Sequence, residues 1–386
     1  MHNKSLDGLR GLAALNVVFA HFIGAFFPSS YLVGNYLPFL LRGERWGTVF
    51  KYNNFDDILN LIFMPFFSFF YGGTFAVSIF FVISGYVLTL PYYTDQCEKL
   101  KARIIVRYIR LNIPIIIISL ISMSILVSGL YWNMEASKVL ENNWLNLFFK
   151  DIPSIVNFLK LEFYETIFYG AGSLIPPIWT MKIEFFGSIF LMGYYLIKPK
   201  IFTKYFFAMG FLMICITEQN ADGVFFIAMF CGSFLSKINF SKKINPYIFL
   251  AGLILGSTQT SSNLFDILPN SNFLGAWASN KLQFYTCIGA YLIVASIKNG
   301  FGMNLLQHKV CSFFGNISYS MYLVHMLILC SITSYMYLQI KDLEYCQPIL
   351  FISYMVITFI VSNIAYLYLD RPSINLSRAI GKLLKF

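Results

Sequence analysis

Charge is what this chain has least of. Asp, Glu, Lys and Arg make up 12% of its 386 residues, against 58% hydrophobic, and the mean hydropathy is +0.66. Soluble domains carry about 25% charged residues, so this composition rules out a soluble globular domain and requires an integral membrane protein. Alternating apolar and polar segments of strand length are missing too; the apolar runs are long, which points to helices rather than a barrel. The seven cysteines are scattered, mostly within apolar segments, and suggest neither a disulfide framework nor a metal site. Internal repeats, low-complexity tracts and a soluble second domain are absent, so a single membrane domain over 1–386 is expected. The first apolar segment carries charged residues and lacks a small-residue cleavage site, so it reads as a retained span and not a leader.

What is abundant fits the same picture. Phe (42) and Tyr (25) are frequent, as where aromatics fill lipid-facing and interfacial positions. We read about ten transmembrane helices: 8–28, 72–91, 111–130, 177–197, 205–218, 223–236, 245–258, 282–298, 314–337 and 347–369. Long connections occupy 29–71 and 131–176, and 55–73 reads as an interfacial or re-entrant helix. With the N-terminus inside, about two thirds of the 28 Lys and Arg fall on the cytoplasmic side, which predicts that both termini are cytoplasmic. The net charge of +10 is therefore mostly topology, and no nucleic-acid partner is implied.

Against that background a few polar groups stand out, because hydrocarbon does not solvate them. In SLDGLRGLAALNVVFAHF (5–22), Asp7 and Arg10 lie three apart on one helical face and can pair. His21 follows Arg10 by about three turns, on the same face and about 16 Å farther along the axis. In PPIWTMKIEFFGSIF (176–190), Glu184 lies about two turns into its span, at a depth that would let it orient the His21 ring. Lys182 points elsewhere and is given no role. In FFGNISYSMYLVHMLIL (313–329), Ser318, Tyr319 and Tyr322 precede His325; a polar pocket and plain interhelical hydrogen bonding explain them equally well. In KARIIVRYIRLNIP (101–114), Arg103, Arg107 and Arg110 recur at helical spacing. They suit either phosphates or anionic lipid at the inner surface.

Taken together these stretches resemble the acyltransferase 3 family. The likeness rests on DGLRGLAALNVVFAH (7–21), IFFVISGYVLTL (79–90), RYIR (107–110) with Pro114, WTMKIE (179–184) and SYSMYLVH (318–325), in family order over essentially the whole chain. Met181 and Lys182 replace commoner residues before Glu184, and the loop 29–71 is unusual. The resemblance adds Ser84 and Trp179 to a candidate pocket with Asp7, Ser318, Tyr319, Tyr322 and His325. It implies transfer of an acyl group, usually acetyl from acetyl-CoA, to a hydroxyl of a cell-surface or lipid-linked glycan, in a bacterial inner membrane. No fused extracytoplasmic hydrolase-like domain is expected, no metal is called for, and oligomeric state is not indicated. On this reading Arg107 and Arg110, with Arg103 as a weaker candidate, hold the phosphates of CoA. His21 is the base or a transient acyl carrier, Glu184 steadies it, and Arg10 lines the donor's path. The competing reading is a polytopic transporter or flippase of a glycan or metabolite, which would also place charged groups in spans.

Overall fold

The computed structural model describes residues 3–27, 65–93, 98–196, 222–258, 265, 267–271 and 280–383. All regular structure among them is helical. Helix α1 (Lys4–Phe26) starts where the Asn3 side chain accepts from the Ser5 and Leu6 amides, satisfying two donors that a helix start leaves open. Helix α2 (Gly73–Tyr93) has no charged residue and is apolar all round, the pattern of a helix enclosed by others. Helix α3 (Glu98–Val127) follows, then a connecting region with short helices α4 (Asn133–Leu140) and α5 (Ile155–Lys160). A π turn (Leu161–Glu165) and one further turn (Thr166–Tyr169) lead to α6 (Thr180–Leu196). Helices α7 (Gly223–Ser233), α8 (Asn245–Gly256) and α9 (Lys281–Lys298) form the next group. Helix α10 (Lys309–Ile328) passes through a π turn (Leu329–Thr333) into α11 (Ser334–Ile340). Helix α12 (Cys346–Ala365) passes through another (Tyr366–Asp370) into α13 (Arg371–Leu383).

Five of these stretches are long and apolar enough to cross a membrane: Lys4–Phe26, Gly73–Tyr93, Val106–Val127, Lys309–Ile340 and Cys346–Leu383. Gly223–Lys237 and Asn245–Gly256 are shorter apolar helices, and the expected span 205–218 lies outside the described residues. So do residues 55–64 of the expected interfacial or re-entrant helix, while Pro65–Phe70 forms a 3-10 turn and Gly73 begins α2. The exterior of the bundle carries the signature of lipid contact. On α12, Ile349, Ile352, Val356, Ile360 and Ile364 recur at three- and four-residue spacing and are all exposed, while Leu350, Tyr354 and Thr358 on the other side are buried. A stripe of that size exposed to water would be a severe hydrophobic liability; in lipid it costs nothing. The chain is an integral membrane protein.

The seam that positions the site is α1 against α10, the most extensive helix pairing among the described residues. Small residues bring the two backbones into direct contact. A Cβ at Gly8 or Gly11 would collide with the backbone of Leu306 or Gly315, and one at Gly315 would lie 2.5 Å from the Asp7 carbonyl oxygen. Close approach through glycine is the usual way apolar helices associate where no water drives them together. Gly85 does the same for α2 against α7, where a Cβ would run into the Met229 carbonyl.

Candidate active site

The DGLRGL segment therefore has two tasks, with its glycines making the seam and its charged residues lying beside it. Arg10 pairs with Asp7 at 3.6 Å and donates to the Gly315 carbonyl at 3.2 Å. That carbonyl also accepts from Ser318 at 2.9 Å, so Ser318 is committed to its own helix. The Arg10 Nε–H finds no acceptor among the described residues, and the side chain is 38% exposed. Arg110 is exposed and shares the field of Arg10, Arg107 and Asp370. Its backbone carbonyl accepts from Ser373 at 3.2 Å, which ties α13 to α3. Asp370 is buried and faces Arg110 and Arg10. Two accessible guanidiniums thus converge at this end of the bundle from α1 and α3.

Deeper in, Glu184 does not meet His21. Its Oε1 accepts from Ser84 at 2.6 Å and forms a short ion pair with Arg107 Nη2, while Arg107 Nε donates to Ser188 at 2.9 Å. The expected pairing of Glu184 with the imidazole is corrected by the helix register. Gly73 lies against Ala20, next to His21, and Ser84 is eleven residues further along α2, about 16 Å away. The same contacts correct the picture of Arg107 as a surface phosphate ligand. It is 6% exposed, and a buried guanidinium is held where a carboxylate compensates its desolvation. Of Arg103 only the backbone is described, within α3.

At the far end of the seam the two intramembrane histidines meet. His21 Nδ1 and His325 Nε2 are 2.8 Å apart. The rings are 13° from parallel with centroids 5.0 Å apart, the separation of two imidazoles lying edge to edge in nearly one plane. His325 is fully buried, and its Nδ1 lies 3.0 Å from the Met321 carbonyl oxygen. His21 keeps some accessible surface, and its Nε2 has no partner among the described residues. Trp144, from the connecting region after α4, lies 5.7 Å from the His21 ring and within 15° of parallel. Its neighbour Asn142 fixes it there, donating to the Gly24 and Ala25 carbonyls at 2.7 and 2.8 Å and accepting from the Trp144 amide at 3.0 Å. The last turn of α1 leaves carbonyls unpaired, and Asn142 satisfies them.

The tyrosines hold helices together. Tyr319 donates to the Leu111 carbonyl at 2.9 Å, joining α10 to α3. Tyr322 donates to the Pro177 carbonyl at 2.6 Å and contacts Thr180 at 2.8 Å, joining α10 to the start of α6. Of the two readings open for these hydroxyls, interhelical bonding is the one realised. Trp179 is 37% exposed and packs on Phe225 with ring centroids 5.8 Å apart.

Three participants were not singled out from the sequence. Asp370 had a signal, a carboxylate at the end of an apolar run, where ionisable groups mark function. Ser188 lies one turn after Glu184 on the same face, a neighbour relation that helix spacing gives. Trp144 had none, because a tryptophan in a long connection has no periodicity to place it.

What the arrangement can do follows from its ends. Accessible guanidiniums bind phosphate with charge-assisted hydrogen bonds. A neutral imidazole with one nitrogen held and the other open can take a proton from a hydroxyl. No curated protein and no solved structure gives a match to the chain. A family model described as an acyltransferase domain, Acyl_transf_3, matches residues 3–367. That match takes in both ends of the α1–α10 seam together with Ser84, Arg107 and Glu184, and the chain belongs to the acyltransferase 3 family.

Proposed function

We propose that the protein is a membrane O-acyltransferase that moves an acetyl group from cytoplasmic acetyl-CoA to a hydroxyl of a cell-surface or lipid-linked glycan, in a bacterial inner membrane. The observation that carries this reading is the layout of one helix. Helix α1 presents Arg10 beside Arg110 near its start and His21 beside His325 about 16 Å further on, so one seam serves a phosphate-binding end and a proton-accepting end. The charge distribution along the chain supports placing the arginine end inside.

Acetyl-CoA fits the arginine end by its chemistry. The Arg10 and Arg110 side chains are both accessible, so phosphate oxygens would find donors on each. Arg10 and Arg110 would hold the phosphates, and Arg107 keeps Glu184 compensated behind them. At the other end, His21 Nε2 takes the proton of the acceptor hydroxyl while that oxygen bonds to the thioester carbonyl carbon. The imidazolium then returns the proton to the departing thiolate sulfur, and the ester and free thiol result. An acyl-histidine relay uses the same nitrogen as nucleophile. The transporter alternative gains no support from the family match.

The test is thiol release from acetyl-CoA by purified protein, with and without a glycan extract, comparing wild type with His21→Ala. Release that needs protein and extract, and falls on the order of 10²–10⁴-fold in the variant, is expected. Release without extract that is also lost in the variant would favour the relay. A folded, equally active variant would remove His21 from the chemistry.

A further inference from the structure

We infer that His325 is a positioning residue that holds His21 in the tautomer with its proton on Nδ1 and its lone pair on Nε2. The inference rests on the reading of His21 as the proton acceptor and adds which group prepares it.

The argument follows the hydrogen bonds in order. The Met321 carbonyl oxygen can only accept, so the His325 Nδ1 lying 3.0 Å from it carries a hydrogen. A neutral imidazole has one N–H, so His325 Nε2 is then a bare acceptor. His21 Nδ1, 2.8 Å from that nitrogen, must be the donor. The remaining His21 nitrogen, Nε2, is left with its lone pair. The near-coplanar placement of the rings, 13° apart, aligns the Nδ1–H bond with the lone pair in the plane of the His325 ring.

The chain of assignments fails only if one of the two rings is an imidazolium. His325 is fully buried, and no carboxylate acts on either ring among the described residues. A charge buried without a partner is strongly disfavoured, so the neutral form holds. The elements around His21 agree. Trp144 covers it with an indole, Gly73 of α2 abuts the neighbouring Ala20, and α10 contributes His325. None brings a charge. The backbone carbonyl thus does, through His325, what a carboxylate does when it orients a catalytic histidine, without placing a charge in the membrane interior.

The decisive measurement is the nitrogen NMR spectrum of the full chain, labelled with 15N-histidine and reconstituted in lipid nanodiscs at neutral pH. Protonated and bare ring nitrogens have distinct shifts, and subtraction of a His21→Ala spectrum assigns the His21 signals. A protonated Nδ1 and bare Nε2 at His21 are expected. The opposite tautomer, or a doubly protonated ring, would overturn the inference. This readout does not depend on transfer being observed: the expected tautomer in a protein that never releases thiol would keep the inference and sink the acyl-transfer reading. A second arm compares variants. His325→Gln offers an amide oxygen to His21 Nδ1–H and should keep kcat within about tenfold. His325→Leu offers nothing and should lower kcat on the order of 10²–10⁴-fold with the KM for acetyl-CoA unchanged. Equal kcat for Gln and Leu variants would show that His325 only fills space.

Discussion

At the residue scale, Arg107 and Arg110 illustrate how one motif divides into different tasks. RYIR places two arginines three apart, and spacing treats them as equals. Burial separates them: Arg107 is enclosed with Glu184 and Ser188, whereas Arg110 is exposed beside Arg10. Removing one partner of a buried pair leaves the other charged and unsolvated, at a cost of about 3–5 kcal/mol. Arg107→Ala should therefore lower the yield and melting temperature of purified protein, and adding Glu184→Gln should recover part of the loss. Arg110→Ala should lower the melting temperature less, because Arg10 still faces the buried Asp370. If Arg110 holds a phosphate, its loss should raise the KM for acetyl-CoA by about 10–100-fold, the value of a hydrogen bond between charged groups. The same melting behaviour in both variants would contradict this division.

At the scale of elements, the α1–α10 seam carries the argument. Both helices contribute one ring of the histidine pair, so any change in their spacing or rotation separates Nδ1 from Nε2. Gly11 is where the seam has no slack, because a side chain there would meet the Gly315 backbone and the Phe314 side chain. Gly11→Val should destabilise the protein by about 1–3 kcal/mol or more and abolish transfer even where some protein folds. Activity against melting temperature across Gly11→Ala, Ser and Val checks it; full activity in the Val variant would mean that the seam does not fix the site. Asn142 works at the same scale, fastening the connecting region to the end of α1 and bringing Trp144 over His21. Such a junction joins segments more than a hundred residues apart, which no local pattern announces.

At the scale of the whole molecule, a buried carboxyl links stability to pH. The Glu162 carboxyl, in the π turn between α5 and the following turn, is 1% exposed and its Oε2 has no hydrogen-bond partner among the described residues. Burial pushes it up from the ordinary 4.5 to about 7, with a hydrogen bond from Ser119 acting in the opposite direction. A carboxyl raised in the folded state favours folding when protonated. Its stabilising effect is full below about 4.5 and is lost as pH rises through about 7. The melting temperature should fall across that window, and Glu162→Gln should remove this part of the fall. A variant whose pH profile matches wild type would exclude Glu162 as the source.

What the sequence determined by itself is the class of molecule and the family it belongs to. Hydropathy follows directly from composition, so a helical membrane protein was legible from 12% charge, and intramembrane polar groups are scarce enough that Arg10, His21, Glu184 and His325 stood out at once. The motif order identified the family for the same reason. Which of these groups touch was decided only by tertiary structure. Helix spacing gives neighbours along one helix, such as Asp7 with Arg10, but contact between helices depends on their relative height and rotation. Those are set by glycine contacts and carbonyl bonds spread across the chain. Glu184 and His21 appeared matched in depth when each was measured from its own helix end. The packing of α2 against α1 and α6 puts about three turns between them, and gives His21 a second histidine in place of a carboxylate.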